Sequence, residues 1–192
     1  MIGRPIDELS VGESVELSRV VSEGDIAEFV DSVGDYNPVH SDPAFAATTP
    51  FREPIAPGIW TAGLISGVIG TRLPGPGSIY ETQDLRFLKP VRAGDTITAR
   101  VEVLEIVRDR NRVRLRTTCM NQRGEEVLIG EACVLPPRRQ VVYAEDKSGT
   151  GALALWALQP WSWAAQALSV WAILGLSIFA ACRPRLTSGG RR

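Results

Sequence analysis

Histidine occurs once in the chain, at position 40, and cysteine three times, at Cys119, Cys133 and Cys182. An odd number of widely spaced cysteines with no CxxC pair gives neither a disulfide framework nor a zinc site, so no metal is expected and a reducing, cytoplasmic setting fits. Neither sign of charge is in excess. Lys plus Arg number 21 against 22 Asp plus Glu, a formal net charge of −1, which leaves no basic field to gather nucleic acid. No apolar core of the kind a secretory signal needs follows Met1, because Arg4, Asp7 and Glu8 arrive at once. One long stretch lacks charge altogether: none is found between Lys147 and Arg183, and four of the five tryptophans (Trp156, Trp161, Trp163 and Trp171) fall inside it. That break divides the chain into a folded domain over 1–137, a linker over 138–150, an apolar segment over 151–182 and a basic, disordered end over 183–192.

What is present in the first part alternates between two periods. Ser22 stands three residues ahead of Asp25, a capping-box pair, and Ile26, Phe29, Val30 and Val33 then recur on one helical face until Gly34. This predicts a strand near 16–21 and a helix over 23–33. The segment 56–70 carries no charge and its apolar side chains point all round a helical wheel, which predicts a helix buried on every side. Gly63, Gly67 and Gly70 leave one face of it without bulk, suited to tight packing on a sheet or to a slender ligand. From Ser78 onward the period is two. Ile97, Ala99, Val101 and Val103 alternate with polar residues, as do Val113, Leu115 and Thr117 with arginines, and turn residues separate these runs at 93–95, 109–111 and 122–125. Helix, buried helix and then about four strands is an α+β order in which an antiparallel sheet can wrap a central helix.

Ionisable and turn-forming residues concentrate in Gly34-Asp35-Tyr36-Asn37-Pro38-Val39-His40-Ser41-Asp42-Pro43. Asn37 precedes proline and can cap a helix that starts at Pro38, which would place His40 in its first turn. The positive end of a helix disfavours imidazolium, so a histidine there is suited to accept a proton. Asp35 can fold back to the same cleft. A carboxylate and an imidazole about one water apart can take a proton from that water and return one to carbon. A bare helix start with a structural histidine is the bland alternative for the same residues.

The run from Gly34 to Ala46 closely resembles the signature of the MaoC-like dehydratases, also called R-specific enoyl-CoA hydratases. Further stretches resemble the same family: Ala56-Pro57-Gly58-Ile59-Trp60 with Leu64-Ile65-Ser66, then Leu73-Pro74-Gly75-Pro76-Gly77-Ser78-Ile79-Tyr80, Gln83-Asp84-Leu85-Arg86-Phe87-Leu88-Lys89-Pro90-Val91 and Gly94-Asp95-Thr96-Ile97. The likeness spans about residues 5–137 and is greatest to the hydratase domain that precedes a phosphate acetyl- or butyryltransferase in some bifunctional chains. It implies a hot-dog fold, a long helix wrapped by an antiparallel sheet, usually paired as a homodimer with the acyl-CoA site at the subunit boundary. It implies reversible hydration of trans-2-enoyl-CoA to (R)-3-hydroxyacyl-CoA in fatty-acid or polyhydroxyalkanoate-type metabolism. No cofactor is implied, coenzyme A being part of the substrate. Asp35 and His40 match the catalytic positions, Asn37 a residue that holds the turn, Gly58 the position whose N–H faces the thioester oxygen, and Ser66 a residue near the pocket. Pro57 departs from relatives that carry histidine there. Trp60 fits either a shortened acyl tunnel or simple core filling, and short or medium acyl chains are preferred. The alternatives are a hot-dog acyl-CoA thioesterase and a non-catalytic acyl-CoA or acyl-carrier binding subunit.

The uncharged stretch 161–182 is about long enough to cross a bilayer as a helix, and Arg183, Arg185, Arg191 and Arg192 follow it. The positive-inside tendency would then put the domain outside, away from coenzyme A. Three readings stay open: a membrane contact through 161–182, a partner-binding helix, and a tail produced by a shifted reading frame or truncation.

Overall fold

The first strand of the main sheet and the first helix meet at Ser22, and the local chemistry there explains both. In the computed structural model, which describes residues 1–144, β1 (Ile2–Gly3) precedes β2 (Ser14–Val20), and α1 (Glu23–Val33) follows. Ser22 accepts from the Asp25 N–H at 3.0 Å while Asp25 accepts from the Ser22 N–H at 3.0 Å, the reciprocal cap that the sequence predicts. Gly34 ends α1 with φ +74°, a left-handed conformation that most side chains resist. Ile26 and Val30 are buried and Phe29 is half-buried, but Val33, at the last turn, is exposed, so the apolar face is one residue shorter than its sequence pattern.

A short helix α2 (Pro43–Thr48) leads to α3 (Gly58–Thr71), and then β3 (Ile79–Phe87), β4 (Thr96–Val107), β5 (Arg112–Met120), β6 (Glu126–Leu135) and β7 (Val141–Val142). The five-stranded antiparallel sheet has the order β2-β4-β5-β6-β3. β3 therefore pairs with β6 and not with β4, its neighbour in sequence, and it forms an edge. Ile97, Ala99, Val101 and Val103 of β4 and Val113, Leu115 and Thr117 of β5 all point inward and are buried. All but Thr117 meet Leu64, Ile65 and Val68 of α3 in one core. Each of the valine, leucine and isoleucine side chains contributes about 1.5–3 kcal/mol by leaving water.

The expectation that α3 is buried all round is corrected. Its core face is Trp60, Thr61, Leu64, Ile65, Val68 and Ile69, whereas Ile59, Gly63, Ser66 and Gly70 form an exposed stripe. Among the described residues nothing outside its own helix lies within 4 Å of a Cβ built on Gly63 or Gly70, so these glycines do not serve tight packing against the sheet.

β7 pairs with β1, inside the stretch 138–150 that the sequence marks as linker, and Met1–Ala144 form one unit. The segments 151–182 and 183–192, including the stretch 161–182, lie outside the described residues. Among the described residues no helix is long and apolar enough to cross a membrane.

Candidate active site

The turn after α1 is built by two side-chain caps in succession. The Gly34 and Asp35 N–H groups both return to the Val30 carbonyl, at 2.8 and 3.2 Å, so the chain leaves α1 abruptly at Asp35. Asn37 then accepts from the Val39 N–H at 3.3 Å, and Asp42 accepts from the Ala44 and Phe45 N–H groups at 2.8 and 3.1 Å to start α2. Asn37 is thus the predicted cap, but what it caps is a single 3₁₀ turn, Pro38–His40. His40 ends that turn and does not open an α-helix. One turn sums too few peptide dipoles to act as a helix terminus, so the dipole argument does not apply to His40.

A backbone carbonyl orients the imidazole. His40 Nδ1 lies 2.8 Å from the Ile55 oxygen, and a carbonyl can only accept, so Nδ1 carries the hydrogen. In the neutral ring Nε2 then presents a lone pair, and it faces Asp35 Oδ2 at 3.5 Å. The His40 side chain is 9% exposed and that of Asp35 46%, so one partner is fixed in the protein and the other meets solvent. The Ile55 N–H in turn donates to the Val39 carbonyl at 3.2 Å, which locks the turn to the loop ahead of α3. Two acceptors converging this closely are suited to a water that donates to both, leaving its oxygen lone pairs free to attack carbon.

Gly58, three residues beyond Ile55, is the first residue of α3, and no side chain caps that terminus. Its N–H is one of the helix-start donors that have no intrahelical partner, suited to an oxyanion. A Cβ at Gly58 would come within 2.8 Å of the Phe87 ring, so the ring's approach excludes a side chain unless it shifts. Gly58, Ile55, Thr61, Phe87 and Lys89 help to line a cavity of about 400 Å³. His40 lines a different one of about 560 Å³ with Tyr36, Ile26, Val30, Glu53 and Arg92. The loop at 53–57 contributes Glu53 and Pro54 to the second and Ile55 and Ala56 to the first.

The structure therefore brings Asp35, Asn37 and His40 together and sets Gly58 one loop away. It does not bring Ser66 to them. Ser66 is on the exposed stripe of α3, eight residues beyond Gly58 or about 12 Å along the axis, and it lines neither cavity. Trp60 also lines neither and is buried in the core, which fits core filling. The sequence reading missed Ile55, whose contribution is a main-chain oxygen without a side-chain signature.

A central helix packed on a five-stranded antiparallel sheet, with a carboxylate and an imidazole converging on the loop before it, defines the hot-dog-fold hydratases. Comparison with known proteins agrees. A family model described as "MaoC like domain" matches residues 8–123, and the chain belongs to that family. It is 47% identical over 135 residues to a 3-hydroxybutyryl-CoA dehydratase of Methylorubrum extorquens, covering 70% of this chain and 85% of that protein. It is 46% identical over 133 residues to an (R)-specific enoyl-CoA hydratase of Rhodospirillum rubrum, covering 69% and 92%. Among solved structures it is similar to an unliganded R-hydratase from Pseudomonas aeruginosa, with a TM-score of 0.70, 45% identity and coverage of 75% and 94%.

Proposed function

We propose that this chain hydrates trans-2-enoyl-CoA reversibly to (R)-3-hydroxyacyl-CoA, a hydro-lyase reaction in which coenzyme A enters only as part of the substrate. The carrying observation is the 3.5 Å approach of His40 Nε2 to Asp35 Oδ2 with Nδ1 already committed to the Ile55 carbonyl. A water held between them loses a proton to one member as its oxygen adds to C3, and the pair returns a proton to C2 on the same face. The Gly58 N–H receives the charge that develops on the thioester oxygen. Asn37 holds the turn that aims His40. Short or medium acyl chains are the proposed substrates, in fatty-acid or polyhydroxyalkanoate-type metabolism, in a cytoplasmic setting.

The functional unit in this reading is a homodimer. Among the described residues β3 is an edge strand with Ile79 and Phe87 exposed, and the α3 stripe exposes Ile59 beside Gly63 and Ser66. Edges and apolar faces of this kind call for a covering surface. A second copy seated there gives Ser66 its route to a pocket that one chain does not provide.

Crotonyl-CoA mixed with the full chain should lose the absorbance of its conjugated thioester, and chiral analysis should return the R product. Release of free thiol without loss of the double bond would instead mark a thioesterase. Binding with no turnover over hours would mark a non-catalytic subunit.

A further inference from the structure

The loop that supplies the Ile55 carbonyl is held across from Phe51 and Glu53 by a single side chain, that of Arg92. Arg52 takes φ +67° in this loop, a left-handed conformation that a residue with a side chain keeps only where its surroundings enforce it. Arg92 Nη2 donates to the Phe51 carbonyl at 3.2 Å on one side of Arg52, and Arg92 Nε lies 2.5 Å from Glu53 Oε1 on the other. The Nε hydrogen is not aimed at that oxygen and the Glu53 side chain is 61% exposed, so the bond to Phe51 is the one that fixes position. Among the described residues no other side chain from outside the loop hydrogen-bonds to or pairs with residues 51–54.

Arg92 stands on a fixed base. Its N–H donates to the Asp95 carboxylate at 2.9 Å, its carbonyl accepts from the Asp95 N–H at 3.1 Å, and the Gly94 N–H ties the same turn to the Val21 carbonyl at 2.8 Å. One residue earlier, the Val91 carbonyl accepts from the Ala56 N–H at 2.7 Å. The loop is thus gripped at 51–53 and at Ala56, and Ile55 lies between the two grips. We propose that Arg92 is a positioning residue: by holding 51–53 it aims the Ile55 carbonyl at His40 Nδ1 and so keeps the imidazole in the tautomer whose Nε2 lone pair faces Asp35. A neutral imidazole in water prefers its hydrogen on Nε2. In that tautomer His40 would present an N–H to Asp35 and could take no proton from a water there. The effect on rate rests on the hydration reading above, whereas the effect on the tautomer does not.

Because His40 is the only histidine in the chain, the imidazole nitrogen resonances of the full-length, ¹⁵N-labelled protein report its tautomer directly. The neutral ring of the parent should carry its hydrogen on Nδ1. Arg92→Met should shift it toward the Nε2–H form and lower kcat for crotonyl-CoA by about five- to tenfold, with KM within about twofold. Arg92→Lys, long enough to donate to the Phe51 carbonyl, should restore the Nδ1–H form and bring kcat to within about twofold of the parent. Arg92→Gln, too short for that bond, should behave as Arg92→Met and gives the same reading where Arg92→Met does not fold. A purely structural Arg92 would lower the melting temperature yet leave the parental tautomer and the parental kcat per folded molecule, and that result would overturn the assignment. A raised KM with kcat unchanged would overturn it as well. A parent that loses the Nδ1–H form on Arg92→Met but does not hydrate crotonyl-CoA would refute the hydration reading and keep Arg92 in this role.

Discussion

A single carbonyl, that of Ile55, decides what His40 can do, because it fixes the hydrogen on Nδ1 and leaves Nε2 free beside Asp35. Asn37 acts one step back. Asn37→Ala removes the acceptor for the Val39 N–H and should lower stability by about 0.5–2 kcal/mol, with a fall in kcat as His40 loses its aim, measured by thermal melts beside steady-state rates. Gly58 sits under a different constraint. Gly58→Ala pushes a methyl against the Phe87 ring, a half-exposed side chain that can turn aside, so the fold should survive while kcat drops about 10²-fold as the oxyanion position is crowded. A variant with parental kcat would show that this N–H does not face the reacting oxygen. The Asn37 cap was legible in the sequence because Asn-Pro has a local meaning, and Gly58 was marked by the family resemblance. The part played by Ile55 was not, since a main-chain acceptor is defined only by what lies across from it.

The helices and strands divide in the same way. α1 was readable to the residue at both ends because its caps, Ser22 with Asp25 and the left-handed Gly34, lie within a few residues of the bonds they make. Ser22→Ala should cost about 1 kcal/mol, read as a shift in the denaturant midpoint. The inward residues of β4 and β5 were readable from period two, but the placement of β3 against β6 depends on how the sheet covers α3, and no local spacing encodes that. α3 misled for a related reason. A glycine stripe in an apolar helix looks the same whether or not a sheet packs on it, and here no described residue outside the helix comes within 4 Å of a Cβ built on Gly63 or Gly70. Ile65 is on the opposite, buried face, and Ile65→Ala should lose about 2–5 kcal/mol as a cavity opens in the core.

Across the whole molecule, charge is arranged to favour the fold near neutral pH. Asn121, Lys89 and Arg123 pull the Glu125 carboxyl down to about 2, and Arg112, followed by Cys133, does the same for Glu81. Both lie below the ordinary value of 4.5, so their stabilisation is complete above that pH and is lost as pH falls through about 2. Melting temperature should therefore decline below pH 4.5, and Glu125→Gln should flatten part of that decline. Sedimentation should give twice the chain mass if β3 and the α3 stripe meet a second copy. In the proposed reaction Asp35 and His40 share one water, and the hydration of crotonyl-CoA by Asp35→Asn, His40→Ala and the double variant tests this most directly. Each single change should remove nearly all turnover with the fold intact, and the double variant should be no worse than the poorer single one. Parental turnover in either single variant, or a double loss equal to the product of the two, would contradict a shared role.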